Sequence, residues 1–110
     1  MAHAREETPV IGVIVSFRSE GGLDRSAVMA VAEQAAPAFE GMPGLRSKVF
    51  TFDPESGEAT NVYVWESDAA AREFFSPKLT ERVTGLYGVR PEVRFVEVGA
   101  LVDNGVAAPA

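Results

Sequence analysis

Residues 49–67 read VFTFDPESGEATNVYVWES, and this stretch predicts a β-hairpin. Its centre, DPESGE, holds Pro, Ser and Gly, which are turn-forming residues. The flanking segments 45–52 and 59–65 are rich in β-branched and aromatic residues, a composition typical of strands. We therefore expect two antiparallel strands joined by a tight turn.

The second strand of this hairpin has no plainly polar face. Val62 and Val64 alternate with Asn61, Tyr63 and Trp65, so large side chains point to both sides of the sheet. A half-exposed strand would instead alternate apolar and polar residues. The pattern predicts that something covers each face, and that one covered face carries an amide, a phenol and an indole.

The length and charge of the chain limit what it can be. With 110 residues it has the usual size of one domain, and 46% hydrophobic and 24% charged residues are ordinary for a globular protein. The formal net charge of −6 repels phosphate backbones and anionic lipid. We therefore expect neither nucleic acid nor a membrane as a partner.

Residues suited to bind metals or cofactors are scarce. The chain has no cysteine, which excludes disulfides, thiolate nucleophiles and cysteine-bound metal centres. Its one histidine, His3, lies near the start, where chains usually fray. No apolar stretch approaches the 18 residues of a membrane span, and no signal-peptide pattern is present. The expected location is cytoplasmic.

The order of predicted elements indicates the fold. A strand at 10–17 precedes a helix that Asp24 caps and that Pro37 should end or kink. After the hairpin, Ser67 can cap a second helix, Ser76 with Pro77 can start a further helical turn or two, and residues 92–98 form a last strand. This βαββαβ order predicts an α+β, ferredoxin-like fold, with a four-stranded antiparallel sheet and helices on one face.

The predicted domain spans residues 10–100, between a flexible N-terminus (1–9) and a C-terminal tail (101–110). The simplest hairpin register places Phe52 opposite Ala59. One face then carries Arg46, Lys48 and Phe50 beside Asn61, Tyr63 and Trp65, and the other carries Leu45, Val49, Val62 and Val64. The mixed face suits a pocket beneath the helices. The apolar face suits a homodimer that packs sheet against sheet, the alternative being that the tail folds over it.

Short motifs along the chain resemble those of a known group. They are Phe39 followed by Met42-Pro43-Gly44, then Lys48-Val49, the strand Val62-Tyr63-Val64-Trp65, and Ser67-Asp68-Ala69 at a helix start. Across residues 10–98 the chain resembles the dimeric α/β-barrel proteins, and among them the YdhR-like monooxygenase family. The resemblance implies a homodimer built from ferredoxin-like subunits.

Related antibiotic-biosynthesis monooxygenases, similar in fold, carry an Asn and a Trp four residues apart on the third strand, and Asn61 and Trp65 fit this spacing. The resemblance implies oxidation of polycyclic phenols to quinones by molecular oxygen with no metal or flavin, so the expected cofactor is none. Haem-degrading relatives need a helical histidine, which this sequence lacks.

Cofactor-free oxygenation requires an electron-rich substrate anion, which assigns roles to the candidate residues. Asn61 can donate to an enolate oxygen, Lys48 or Arg46 can hold its charge, Trp65 can stack on a flat ring, and Tyr63 can relay a proton. The predicted cavity walls are Phe39, Phe50, Phe74, Phe75 and Tyr87. The alternative is that the aromatics are core and that Asn61 only shapes the turn.

Two other functions stay open on the sequence. The same architecture serves cofactor-free polyketide cyclases or isomerases, although these usually employ a histidine. It also serves non-catalytic modules for small-molecule binding or dimerisation. The expected partners are a second copy of the chain and a small aromatic or polyketide-like ligand.

Overall fold

The computed structural model describes residues 10–104. Its elements are β1 (Ile11–Phe17), α1 (Arg25–Phe39), β2 (Leu45–Asp53), β3 (Glu58–Trp65), α2 (Asp68–Phe74), α3 (Pro77–Tyr87) and β4 (Glu92–Glu97). Residues 1–9, with His3, and residues 105–110 lie outside the described residues, so the predicted N-terminus and most of the predicted tail do too.

The four strands form one antiparallel sheet in the order β2-β3-β1-β4. This order and the sequence of elements confirm the predicted α+β, ferredoxin-like fold. No helix within residues 10–104 is long and apolar enough to cross a membrane.

Side-chain caps fix where the helices begin. The side chains of Asp24, Ser67 and Ser76 accept hydrogen bonds from backbone N–H groups in the first turns of α1, α2 and α3. Pro37 was expected to end or kink the helix, but α1 does not end there and continues two residues further, to Phe39. Proline removes only one N–H, and so close to the end of a helix the loss is small. The element after Ser76 is also longer than expected, a helix of 11 residues.

The hairpin has the predicted register, with Phe52 opposite Ala59, but it contains an irregularity near the start of β2. The pairing shifts between Leu45 and Ser47, so that Leu45 lies opposite Trp65 and Arg46 is an extra residue. A bulge of this kind reverses which side chains point inward. Leu45 therefore packs against the core and Arg46 is exposed, the reverse of the prediction.

The core lies between the sheet and the helices. Val13, Phe17 and Trp65 are its largest fully buried side chains, and Val28 of α1 and Ala71 of α2 close over them. All three strand residues share the helix-side face with Asn61 and Tyr63. The predicted pocket side of the sheet is thus the side under the helices.

The opposite face of the sheet, called the outer face below, carries Ile14, Val49, Val62 and Val64. Val64 is almost buried, whereas Val49 at the edge strand is 53% exposed. Of the predicted tail only residues 101–104 are described, and Leu101 and Val102 are exposed there.

Candidate active site

A cavity of about 280 Å³ lies between the sheet and the helices. The inward side chains of β1, β2, β3 and β4 form its floor, and α1, α3 and the end of α2 form its walls. Most of its lining is aliphatic or aromatic. A cavity of this shape, with few polar groups, is the usual form of a small-molecule site.

Six side chains give the lining its polar chemistry: Lys48, Asn61, Tyr63, Thr80, Arg82 and Tyr87. Among the described residues that line the cavity there is no Asp, Glu or His. The structure therefore brings together the predicted Lys48, Asn61, Tyr63, Phe39, Phe50, Phe74, Phe75 and Tyr87.

Asn61 lies in the middle of β3, paired with Val15 and Phe50, so it does not shape the turn. It is only 3% exposed. Its Nδ2 donates to the Tyr87 hydroxyl oxygen at 3.3 Å, and its Oδ1 has no partner among the described residues. An unpaired buried acceptor costs about 1–3 kcal/mol, so this amide is not placed for stability alone.

The two tyrosines of the cavity differ in their surroundings. Tyr87 stacks on Phe17, with ring centroids 3.7 Å apart, and this fixes the hydroxyl that accepts from Asn61. Burial, with a smaller contribution from Tyr87, raises the pKa of the Tyr63 phenol well above its ordinary value. Tyr63 therefore stays protonated at neutral pH and can serve as a proton donor but not as a phenolate base.

Lys48 places its ammonium group among three aromatic rings. The nitrogen lies 3.6 Å from the ring centroid of Phe39, 4.0 Å from that of Phe50 and 4.3 Å from that of Tyr63. No ion pair joins it to any carboxylate in residues 10–104. Burial lowers the pKa of this ammonium from 10.5 to about 7.

Trp65 does not border this cavity. It is buried behind Tyr63, with ring centroids 6.1 Å apart and planes nearly parallel, and Phe74 packs on it at 5.1 Å. Its indole N–H is buried and has no acceptor among the described residues. Stacking of Trp65 on a ligand stays a prediction, and it would require one of these two rings to move.

Phe74 and Phe75 both line the cavity, although adjacent residues in a helix cannot face the same way. The reason is that α2 ends at Phe74, and Phe75 leaves helical geometry with φ −87° and ψ 72°. The two rings then meet edge to face, 5.0 Å apart. The predicted helix start at Ser76 and Pro77 is the sequence signal that α2 must end close to these two rings.

Two arginines differ in their relation to the cavity. Arg46, predicted to bind the substrate, is outside the cavity because of the bulge, in a shallow hollow beside Glu40. Arg82, which was not among the predicted site residues, is exposed on α3 and also borders the cavity. The direction in which Arg82 faces depends on the full length of α3, which is longer than predicted. The (i, i+4, i+5) spacing of Arg82, Leu86 and Tyr87 is the sequence signal that places them on one side of this helix.

The fold and the cavity can be compared with those of known proteins. The family described as "Putative mono-oxygenase ydhR" matches residues 13–95, and the chain belongs to this family. None of the curated proteins matches the chain significantly.

Solved structures share the fold. SnoaB, a cofactor-independent oxygenase from Streptomyces nogalater, is similar with a TM-score of 0.64 and 15% identity, over 88% of this chain and 100% of that one. A monooxygenase from ActVA-Orf6 of Streptomyces coelicolor, in complex with Nanaomycin D, is similar with a TM-score of 0.60 and 20% identity, over 88% of this chain and 94% of that one. NE2512, a protein of unknown function from Nitrosomonas europaea, is similar with a TM-score of 0.63 and 14% identity, over 89% of this chain and 97% of that one.

Proposed function

We propose that this monooxygenase family member oxidises a small hydroxyaromatic or polyketide-like substrate with molecular oxygen and without a cofactor. The observation that carries the proposal is the buried Asn61 amide, held by Tyr87 at the floor of an apolar cavity that Lys48 also lines. Two neighbours in fold agree with it, one described as a cofactor-independent oxygenase and one solved with Nanaomycin D.

The reaction begins when the bound substrate loses a proton and becomes an electron-rich anion. One N–H of Asn61 holds Tyr87 and its second N–H donates to the substrate oxyanion, while the Lys48 charge stabilises it. The carbanion carbon then bonds to oxygen. Tyr63 can donate the proton that converts the resulting peroxide anion into a hydroperoxide. The hydroperoxide then loses water and becomes a carbonyl, so that an anthrone and one O₂ give a quinone and one water.

The apolar walls matter because they keep water from the anion. Phe39, Phe50 and Phe74 surround the cavity with aromatic surface, and electrostatic interactions are stronger where water is excluded. Trp65 is proposed to hold Tyr63 in place from behind.

The test is oxygen consumption with an anthrone by protein that contains no metal or flavin. We expect Asn61→Ala to slow the reaction by about ten- to a thousandfold, the usual effect of losing one oxyanion donor, with little change in melting temperature. Thr60→Ala, on the same strand and facing away from the cavity, is the matched control. Turnover without oxygen consumption would support a cyclase instead, and tight binding without turnover would support a binding module.

We also propose that the protein is a homodimer through the outer face. The supporting observation is that this face carries four aliphatic residues that no helix within residues 10–104 covers, and that Val49 is exposed there. A contiguous apolar patch on a sheet usually marks an interface.

A further inference from the structure

The proposed reaction requires a group that removes the substrate proton, and the cavity lining offers very few. Among its described residues no carboxylate or imidazole is present. Arg82 has a guanidinium that does not give up its proton, and Tyr63 stays protonated. The Tyr87 oxygen accepts a hydrogen bond from Asn61, so it is already engaged. Lys48 is the remaining titratable side chain of the lining.

The surroundings of Lys48 suit both forms of an amine. Because burial lowers its pKa to about 7, a large share of Lys48 is neutral at neutral pH and has a free lone pair. The faces of Phe39, Phe50 and Tyr63 surround the same nitrogen, and ring faces attract a cation once the amine is protonated.

We propose that Lys48 is the general base of this cavity and that its substrates are flat phenols or enols that are neutral in solution. The inference rests on the proposed oxygenase function and adds the residue that starts the reaction. The substrate O–H bond breaks, an N–H bond forms on Lys48, and the electron pair stays on the substrate oxygen. No electron is transferred in this step. The resulting ammonium then pairs with the anion it has made.

Other charged groups near Lys48 do not prevent this. Arg82, Tyr63 and Tyr87 face the same cavity, and Glu40 and Arg46 border the shallow hollow on the outer side of Lys48. Glu40 and Arg46 are both exposed, and within residues 10–104 neither makes an ion pair with Lys48. Solvent therefore screens their influence on the amine.

The substitution Lys48→Arg separates a base from a fixed charge. Arginine keeps the positive charge but cannot accept a proton, and Lys48→Met removes both properties. Lys78, the other lysine of the chain, is exposed on α3, so Lys78→Met is the matched control. Circular dichroism establishes that each variant is folded.

The probe is a naphthol, whose anion has its own absorption band, mixed with each protein in the absence of oxygen. We expect a bound naphtholate band with the wild type and Lys78→Met, and at least about a tenfold smaller band with both Lys48 variants. A full band with Lys48→Arg would show that charge alone suffices and would overturn the proposal. Naphthol bound to the wild type only in its neutral form would overturn it as well.

The experiment separates this proposal from the oxygenase function. Naphtholate formation needs no oxygen, so the band supports Lys48 as the base even where oxygen consumption is not observed. Conversely, anthrone oxidation at the wild-type rate in both Lys48 variants would leave the oxygenase function standing and would refute the role of Lys48.

Discussion

Replacing Lys48 with methionine should stabilise the protein, by an amount that depends on pH. The unfolded chain holds the Lys48 proton up to its ordinary pKa of 10.5, whereas the folded protein loses it near 7. Below pH 7 both states are protonated and the folded state bears the full cost of a buried charge. Between 7 and 10.5 only the unfolded state keeps the proton, so the stability of the wild type rises with pH. Methionine does not titrate, so the advantage of the variant is largest below pH 7 and disappears towards 10.5.

The size of the effect follows from the two pKa values. At about 1.4 kcal/mol for each pKa unit, the full difference would correspond to about 5 kcal/mol. Lys48 is partly open to solvent and its ammonium contacts three rings, and both reduce the cost of the charge. We therefore expect Lys48→Met to raise the free energy of unfolding by about 2 kcal/mol at low pH.

Urea unfolding followed by circular dichroism at about pH 6, 8 and 10 measures this difference directly. Lys78→Met, which removes an exposed lysine, should change stability by less than about 0.5 kcal/mol at each pH. A gain for Lys48→Met that is the same at all three values would refute the reasoning. A loss that is greatest at low pH would mean that the ring contacts outweigh burial.

Three further predictions concern the interface, the loops and the indole. Val49→Asp should give a folded monomer by light scattering, because a charge at this position prevents packing of the outer face. The control Gln34→Asp, at an exposed position on α1, should leave the protein a dimer. A dimeric Val49→Asp protein would exclude this interface. Gly57→Ala should lower the free energy of unfolding by about 2 kcal/mol more than Gly21→Ala. Both glycines have positive φ, but of the two only Gly57 would bring a Cβ against backbone, 2.5 Å from the Cα of Gly22. Equal melting temperatures of the two variants would contradict this. Trp65→Phe should leave the KM for an anthrone within about twofold, and a rise of about tenfold would show that the indole reaches the ligand.

Much of the fold could be predicted because local signals agreed with one another. Turn residues, helix caps and alternation each predicted the same βαββαβ order, and the structure has strands within about two residues of those predicted. The hairpin register followed from its turn, which placed Lys48 and Phe50 beside Asn61 and Tyr63. The side of the sheet that carries the cavity therefore followed from the sequence as well.

The errors in the site came from single residues whose backbone departs from regular geometry. One extra residue at Arg46 turned that side chain out and Leu45 in, and an alternating pattern of side chains gives no sign of such a bulge. Phe75 lines the cavity as predicted, and it does so because α2 ends at Phe74. Trp65 is separated from the cavity because Tyr63 and Phe74 pack over it. The four-residue spacing between Asn61 and Trp65 does not predict this packing.

The buried polar groups that lower the stability of the core lie close together. Lys48 has no ionic partner, Asn61 has a buried oxygen without a donor, and Trp65 has a buried N–H without an acceptor, in each case among the described residues. Asn61, Tyr63 and Trp65 are successive inward positions of β3, and Lys48 is paired directly with Tyr63. A core selected for stability alone would have aliphatic residues at these places. These costs are concentrated on one patch of two neighbouring strands, part of which borders the cavity, and this supports a chemical role for the patch.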